Sequence, residues 1–360
     1  MVYRSNEPYN ELPGLPPRVP IETTRVMRRC VTASRALAEL KGAGNLLPNQ
    51  SILINAIPLQ EAKLSSEIEN IVTTQDRLFR AVVEEPGRVD PQTREVLRYR
   101  TALRYGFDAL QSRPIDVDLI VELCSILRDD QASLRDQEPV IIEDANAHRV
   151  VYTPPRGRQL IVSLLHNLVD FLLTPGDLDP LIKLAIVHYQ FEAIHPFMDG
   201  NGRTGRILNI LALVQAQLLA IPVLYLSRYI IQNKQEYYRR LQAVTEEQDW
   251  EGWLLFMLAA VEETARWTTE RVLAIHELFE TTTVRCRQEL PRRVYSKELM
   301  ELIFTQPYVR IQSVIDAGLA KRDTASNYLR ELERIGVLQA EKSGREVLYR
   351  HPALLGVLSA

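Results

Sequence analysis

The chain is predicted to be mainly α-helical, with one small β-hairpin near its middle and a winged helix-turn-helix module at its C-terminal end. Three observations predict this. Apolar residues recur at helical spacing through most of the sequence before Pro291. One pair of short β-branched runs, VIIED and HRVVYT, flanks Asp144-Ala145-Asn146 and reads as a hairpin. After Pro291 the order changes to helix, helix, helix and two strand-like runs.

Residues 1–20 hold Pro8, Pro13, Pro16, Pro17 and Pro20 and are predicted to be extended. The first helix is expected over Thr23–Lys41, where Val26, Cys30, Ala33, Leu37 and Leu40 mark one face and Gly42 and Gly44 stop it. Further helices are expected over Leu59–Val72, through Val83, and over Thr93–Leu110 and Leu119–Leu127. The hairpin occupies about 139–153 and is closed by Pro154-Pro155. Helices resume over Leu160–Leu173, Leu181–Ile194, Thr204–Leu219, Tyr237–Val244 and Trp250–Leu278. The terminal module reads as helices Lys297–Phe304, Ile311–Gly318 and Thr324–Gly336, then strands Val337–Ala340 and Val347–Tyr349 joined by a turn at Ser343-Gly344. Gly318 sits where a helix-turn-helix bend needs a permissive backbone. The expected division is an N-terminal helical region (1–105), a core (106–270), a connecting helix or linker (271–290) and the winged helix (291–360).

Composition excludes several classes. With 46% hydrophobic and 25% charged residues, the chain has the make-up of a soluble globular protein, not a disordered one. Its net charge of −3 argues against a uniformly basic nucleic-acid binder. Residues 291–360 carry 11 bases against 8 acids, so a modestly basic tail follows an acidic body. Cys30, Cys124 and Cys286 lie far apart and form no CxxC pair, which points to a reducing compartment and away from a thiolate metal site. The start, MVYRSNEPYN, lacks a signal-peptide apolar run, and no apolar stretch reaches the ~20 residues of a membrane span. A cytoplasmic protein with no membrane partner is expected.

The chemistry concentrates in His195-Pro196-Phe197-Met198-Asp199-Gly200-Asn201-Gly202-Arg203-Thr204-Gly205-Arg206, which joins one apolar helix to the next. Pro196 places His195 at a helix end. Asp199 offers a hard oxygen ligand suited to Mg²⁺. Gly200-Asn201-Gly202 lets backbone N–H groups approach an anion just before a helix N-terminus. Arg203 and Arg206 are three apart, share one face, and can grip phosphate oxygens bidentately. Base, cation ligand, anion nest and guanidinium pair together describe a nucleotide-triphosphate site. Two commoner motifs fail here. Gly200-x-Gly202-x-x-Gly205 matches the dinucleotide fingerprint, but a helix precedes it in place of a strand and Ile221–Arg228 holds no acid. A P-loop would need Lys-Ser or Lys-Thr where Arg206-Ile207 stand. A metal site of His188, His195 and Asp199 would need helical register through Pro196, which proline breaks.

At these residues the chain resembles the Fic family, whose motif H-x-F-x-[D/E]-G-N-G-R-x-x-R is met at every position from His195 to Arg206. The likeness extends to ETTRVMRRCVTASRALAELKGAGNLLPN and IPLQEAKLSSEIEN, which look like the family's N-terminal helical region, so it covers roughly residues 15–270. The winged-helix tail resembles an appendage of some bacterial members. The resemblance implies a helical Fic core with a small flap, and a protein adenylyltransferase that uses ATP and Mg²⁺. His195 would take the proton from a target Tyr, Ser or Thr hydroxyl, and pyrophosphate would leave. Asp199 would hold Mg²⁺; Gly200, Asn201, Gly202 and Arg203, with Thr204 and Gly205 in the same segment, would cradle phosphates, and Arg206 would reach the γ-phosphate. Phe197 would anchor the loop, and Tyr237 and Tyr238 would border the adenine. The flap at about 139–153 would align a segment of the target protein by strand addition. Members that transfer phosphate carry Lys where Gly202 stands, so Gly202 favours AMP transfer.

Ser65-x-x-x-Glu69-Asn70 is similar to the family's inhibitory motif. Glu69 would pair with Arg206 and deny the γ-phosphate its anchor, with Asn70 in a left-handed helix-end conformation. Two rival readings use the same residues: a hydrolase that removes AMP with Glu69 steering a water, and a nucleotide-sensing regulator that binds DNA. For residues 291–360 the partners considered are DNA, through Arg322, Asn327, Arg330, Arg334 and Arg345, or a protein, including a second copy of the chain. Asp323, Glu331 and Glu333 interrupt those bases.

Overall fold

The structure is a computed structural model that describes residues 3–83, 89–136, 140–144, 149–176, 178–343 and 346–359. Capping residues begin many of its helices. Thr23 opens α1 (Thr24–Ala43), Asp90 opens α4 (Pro91–Ala109), Asp116 opens α5 (Val117–Arg128) and Asp179 opens α7 (Pro180–Ile194). Each accepts a backbone N–H from the first turn. Between them lie α2 (Ser51–Ile68), α3 (Gln75–Ala81) and α6 (Arg158–Leu173). After α7 come α8 (Asn201–Gln215), α9 (Leu226–Gln232), α10 (Lys234–Glu247) and α11 (Trp250–Glu289).

Helix α7 is buried on nearly every side, as a helix apolar all round must be, and with α8 it forms the centre of the molecule. The apolar stripe of α1 lies where the sequence placed it and packs along α11. Glu262 of α11, 4% exposed, is held in that seam by Arg29, Thr32 and Arg266.

Several expected boundaries move. The helix predicted to end at Leu278 continues to Glu289, making α11 40 residues long and on the order of 60 Å. Of the connecting helix or linker expected at 271–290, the helix is what forms, through Glu289. Val272, Ile275, Phe279, Thr282 and Cys286 keep helical spacing and stay buried, so nothing stops it. Helix α2 starts at Ser51 instead of Leu59, carries Pro58 in its interior, and stops at Ile68, short of Val72, because Asn70 turns left-handed at φ 64. Helix α8 starts at Asn201, three residues before Thr204, because Gly200 takes φ 86 and its carbonyl accepts from Thr204 N. Helix α9 was not expected.

Strands β1 (Ile142–Asp144) and β2 (Arg149–Tyr152) form the hairpin, with Ile142 opposite Tyr152 and Asp144 opposite Arg149. Its turn and residues 137–139 lie outside the described residues. The extended N-terminal segment braces the β2 side: Tyr3 Oη donates to Val151 O at 2.9 Å and Tyr9 N to Thr153 O at 3.0 Å.

The last part forms a winged helix from α12 (Lys297–Thr305), β3 (Tyr308–Val309), α13 (Ile311–Asp316), α14 (Arg322–Arg334), β4 (Gln339–Ser343) and β5 (Glu346–Arg350), with a closing helix α15 (Pro352–Ser359). Strand order is β3-β5-β4, all antiparallel. Gly318 takes φ 70 at the bend, as expected. Strands β3 and β5 hold the wing in place, though the sequence signalled neither β3 nor α15. The strand expected from Val337 begins at Gln339, because Val337 and Leu338 are buried in the turn that follows Gly336.

This module does not hang free. Its α12 packs on α2, and Glu301 accepts from Asn49 Nδ2 at 3.1 Å. Arg80 of α3 pairs with Asp76 and with Glu341 of β4, and its guanidinium lies over the Tyr308 ring, 5.1 Å from the centroid. Tyr308 Oη donates to Asp76 at 2.5 Å, and Gln75 Nε2 to Leu358 O at 3.0 Å. Residues 291–360 thus dock on the chain's own N-terminal region. No helix among the described residues is long and apolar enough to cross a membrane.

Candidate active site

The site is the junction of α7 and α8, roofed by the end of α2. His195 closes α7 in the left-handed conformation, φ 49 and ψ 59, with its N–H still bonded to Phe191 O. That conformation turns the chain out of the helix; the residue is half-buried, and its Nδ1 is buried with no hydrogen-bond partner among the described residues. Burial and the nearby Arg135 charge bring the imidazole down to about 4, so the ring is neutral at physiological pH and able to accept a proton.

Arg135 was not singled out in the sequence. It lies in the segment between α5 and the hairpin, is 2% exposed, and ties the loop together. Its Nε donates to His195 O at 2.7 Å, its Nη2 to Ile194 O and Pro155 O at 3.1 Å, and its amide N to Pro196 O at 2.9 Å. Only its context in the fold marks it, since an isolated arginine carries no motif.

Asn201 closes the other end of the loop. Its Oδ1 accepts from Phe197 N and its Nδ2 donates to Phe197 O, both at 2.8 Å. Its side chain is therefore spent on the loop, and what it offers an anion is its amide. As first-turn residues of α8, Asn201, Gly202 and Arg203 present N–H groups with no acceptor inside the helix. Phe197 is fully buried, as an anchor should be. Asp199 points outward, 69% exposed, with Oδ1 accepting from Gly200 N at 2.7 Å. No group of three or more His, Cys, Asp or Glu that could hold a metal exists among the described residues. A lone exposed carboxylate fits a Mg²⁺ that shares its remaining positions with phosphates and water.

Arg206 is 1% exposed and already occupied. Its Nε donates to Ser65 Oγ at 2.8 Å and its Nη2 to Ser65 O at 3.0 Å and to Glu69 Oε1 at 2.8 Å. Burial pushes the Glu69 carboxyl up, but the charge and hydrogen bond of Arg206 outweigh it and hold the group below its ordinary value. Gly202 allows this closeness: a Cβ there would collide with Glu69 Oε1 and stand 2.9 Å from Arg206 Nη1. Asn70 has the left-handed φ expected of it. Ser65, Glu69, Asn70 and Arg206 thus meet as the sequence suggested. Arg203 meets an unexpected partner, Glu95 of α4, at 2.7 Å.

Thr204 is buried beside Cys124 of α5, and Gly205 faces α7, where a Cβ would stand 2.8 Å from Glu192 Oε1 and 3.0 Å from Phe191. Tyr237 is 2% exposed, and its hydroxyl pairs with His188 Nε2 at 2.9 Å beside Trp253, which makes both core residues. Tyr238 is 45% exposed and lines a cavity of about 100 Å³ with Ile142, Val151, Tyr189, Glu192 and Leu241. The two tyrosines grouped by sequence keep their rings in edge contact, 5.2 Å between centroids, but only Tyr238 reaches the surface.

The chain matches the Fic/DOC family over residues 114–213, the Fic/DOC family N-terminal region over 27–108, and the C-terminal domain of SoFic-like protein adenylyltransferases over 278–354. It is similar to protein adenylyltransferase fic-1 of Caenorhabditis elegans, 29% identical over 171 residues that cover 45% of this chain and 32% of that protein. It is also similar to protein adenylyltransferase Fic of Nematostella vectensis, 29% identical over 176 residues, 46% of this chain and 38% of that one. The chain spans about a third of the length of these curated relatives. A Fic family protein from Desulfovibrio desulfuricans shares the fold at TM-score 0.59 and 22% identity, covering 93% of this chain and 98% of that chain. A Fic domain containing signaling protein from Bacteroides thetaiotaomicron does so at TM-score 0.55 and 17% identity, covering 68% and 97%. With its N-terminal region, its central domain and its C-terminal domain all matched, the chain belongs to the Fic/DOC family.

Proposed function

We propose that the protein is an adenylyltransferase that moves AMP from Mg-ATP to a hydroxyl side chain of another protein, and that Glu69 holds it in check. The observation that carries this reading is a neutral imidazole beside an anion-ready helix end whose deepest arginine is already taken by Glu69. His195 accepts the proton as the target oxygen bonds to the α-phosphorus; the bond to the bridging oxygen breaks, and pyrophosphate leaves with the electron pair. The N–H groups of Asn201, Gly202 and Arg203 stabilise charge on the phosphoryl oxygens without reorganising. When bound, Mg²⁺ supplies positive charge opposite the pyrophosphate, with Asp199 as its protein ligand. Arg206 orients the γ-phosphate once Glu69 has left it.

The cavity edged by Tyr238 and Ile142 takes the adenine, its walls being mostly apolar. The target aligns along β1: residues 3–10 already bond along the β2 side, while the described part of β1 pairs with β2 alone.

The test is labelling with ATP carrying a labelled α-phosphate. Glu69→Gly raises incorporation into the enzyme or a lysate target at least tenfold over wild type, and adding His195→Ala abolishes it. Equal labelling with and without His195 sinks the proposal. A Glu69→Gly enzyme that labels no better, and loses the ability to strip AMP from modified protein, points to the hydrolase instead.

A further inference from the structure

We infer that Glu95 of α4 is a positioning residue for AMP transfer: it holds Arg203 with the phosphate-binding edge of the guanidinium open, whereas Ser65 and Glu69 fill the same edge of Arg206. The inference rests on the transferase reading above and assigns a part in it to a residue outside the loop motif.

A guanidinium presents its Nε and one terminal nitrogen as a parallel fork that matches two phosphate oxygens. On Arg206 that fork is closed, because Nε donates to Ser65 Oγ and Nη2 to Ser65 O and Glu69 Oε1. On Arg203 the contacts fall elsewhere. Glu95 Oε1 takes Nη1 at 2.7 Å. Nη2 stands 3.6 Å from Asp199 Oδ2, beyond hydrogen-bond reach, and Nε is buried with no partner among the described residues. Arg203 is 2% exposed, so water does not readily satisfy that N–H, and an anion held at the start of α8 would.

The two acids also differ in what carries them. Glu69 caps α2 just past Ile68, is followed by the left-handed Asn70, and can swing with that helix end. Glu95 lies one turn inside α4, whose first turn is fastened by Asp90 to Thr93 and by Thr93 Oγ1 to Thr73 Oγ1 at 2.6 Å. Helix α4 also packs on α5 and α8 so closely that a Cβ on Gly106 would meet Leu123 and Leu211. Glu69 is a latch; Glu95 is a fixture. Their exposures, 37% and 34%, do not tell them apart, so the direction of the effect must.

The experiment uses the full chain in the Glu69→Gly background, with Mg-ATP as the probe. KM and kcat for self-labelling are measured for Glu95→Gln and Glu95→Ala, with the dissociation constant for Mg-ATP by calorimetry and the melting temperature as a folding control. Glu95→Ala raises KM and the dissociation constant about tenfold while kcat falls less. Glu95→Gln, which keeps an oxygen for Nη1, lies between it and the parent. Melting temperatures stay within about 2 °C, since Glu95 is a partly exposed ion-pair member. If Glu95→Ala raises turnover or tightens ATP, Glu95 is a second latch and the inference is overturned; no change in any constant overturns it as well. If the Glu69→Gly parent itself transfers no AMP, the function reading fails, and calorimetry still decides whether Glu95 shapes the phosphate site.

Discussion

Helices α7 and α2 end in the same way, as do α5 at Asp129 and α10 at Gln248, and on the proposed function the first two endings serve opposite purposes. Each stops on a non-glycine residue in the left-handed conformation, His195 at φ 49 and Asn70 at φ 64. Such a residue costs on the order of 1 kcal/mol, so something must hold it there. At His195 the rest of the protein does so. Arg135 binds three consecutive carbonyls, of Ile194, His195 and Pro196, and Asn201 closes the loop from the far side. At Asn70 the helix mostly holds itself, through Glu69 N to Ser66 O, Asn70 N to Glu67 O and Ile71 N to Ser66 O. Lys234 Nζ adds one outside contact, to Ile68 O at 2.7 Å. The other outside contacts, those of Ser65 and Glu69 with Arg206, are the ones a triphosphate would replace. The α7 ending is over-determined and the α2 ending is poised.

The largest test of that contrast is Arg135→Met in the Glu69→Gly background. It strips the side-chain hydrogen bonds to Ile194 O and His195 O, leaving the backbone bond to Pro196 O, and labelling is expected to fall at least a hundredfold. Arg135→Lys should not restore it, because one ammonium cannot reach carbonyls that a planar fork spans. Activity near that of the parent would show that the loop holds itself. The next effect is seen in pH. Because the imidazole sits near 4, the ring stays neutral as pH falls from 8 to about 5, and kcat/KM should stay level over that range before dropping. An ordinary histidine, titrating near 6.5, would already have lost about tenfold at pH 5.5. A limb near 6.5 would place His195 in a wetter setting than the one described. The smallest effect is on the latch. Asn70→Val forces a β-branched residue into the left-handed region, which weakens the α2 ending, and labelling by the otherwise unaltered enzyme should rise about threefold. Unchanged labelling would mean that Arg206 and Glu69 alone set the inhibition.

Much of the site was legible because it is local. The run from His195 to Arg206 carries its own turn, glycines and helix start, so base, carboxylate and arginines stand near one another in almost any fold that keeps the α7–α8 junction. The segment Ser65–Asn70 was legible as a motif, and its meeting with Arg206 followed from the family resemblance. The remaining pieces had no local mark. Arg135 and Glu95 are single charged residues in ordinary surroundings, and they matter through what lies opposite them. Glu61 belongs with them: fully buried, it anchors α2 by accepting from Ser227 N at 3.0 Å and from Ser227 Oγ. Burial pushes its carboxyl up to about 7, partly offset by those bonds. Tyr237 and Tyr238 show the converse. They are neighbours in sequence on one helix, so they face about 100° apart, and only packing decided that one joins the core and the other the cavity.

The fold divides in the same way. Amphipathic stripes identified α1, α4, α5 and α6, because burial of one face is written at the helical period. The length of α11 and the start of α2 were misjudged, since the stop signals sought there are weak and tertiary contacts override them. By itself, the sequence determined the helical class, the winged-helix order and the loop from His195 to Arg206, all of which rest on contacts within a few residues. Tertiary structure alone decided which acids face Arg203 and Arg206, what braces His195, and that the winged helix docks on α2 and α3. Those pairings join residues 59 to 283 positions apart, and no local pattern records which distant surfaces will meet.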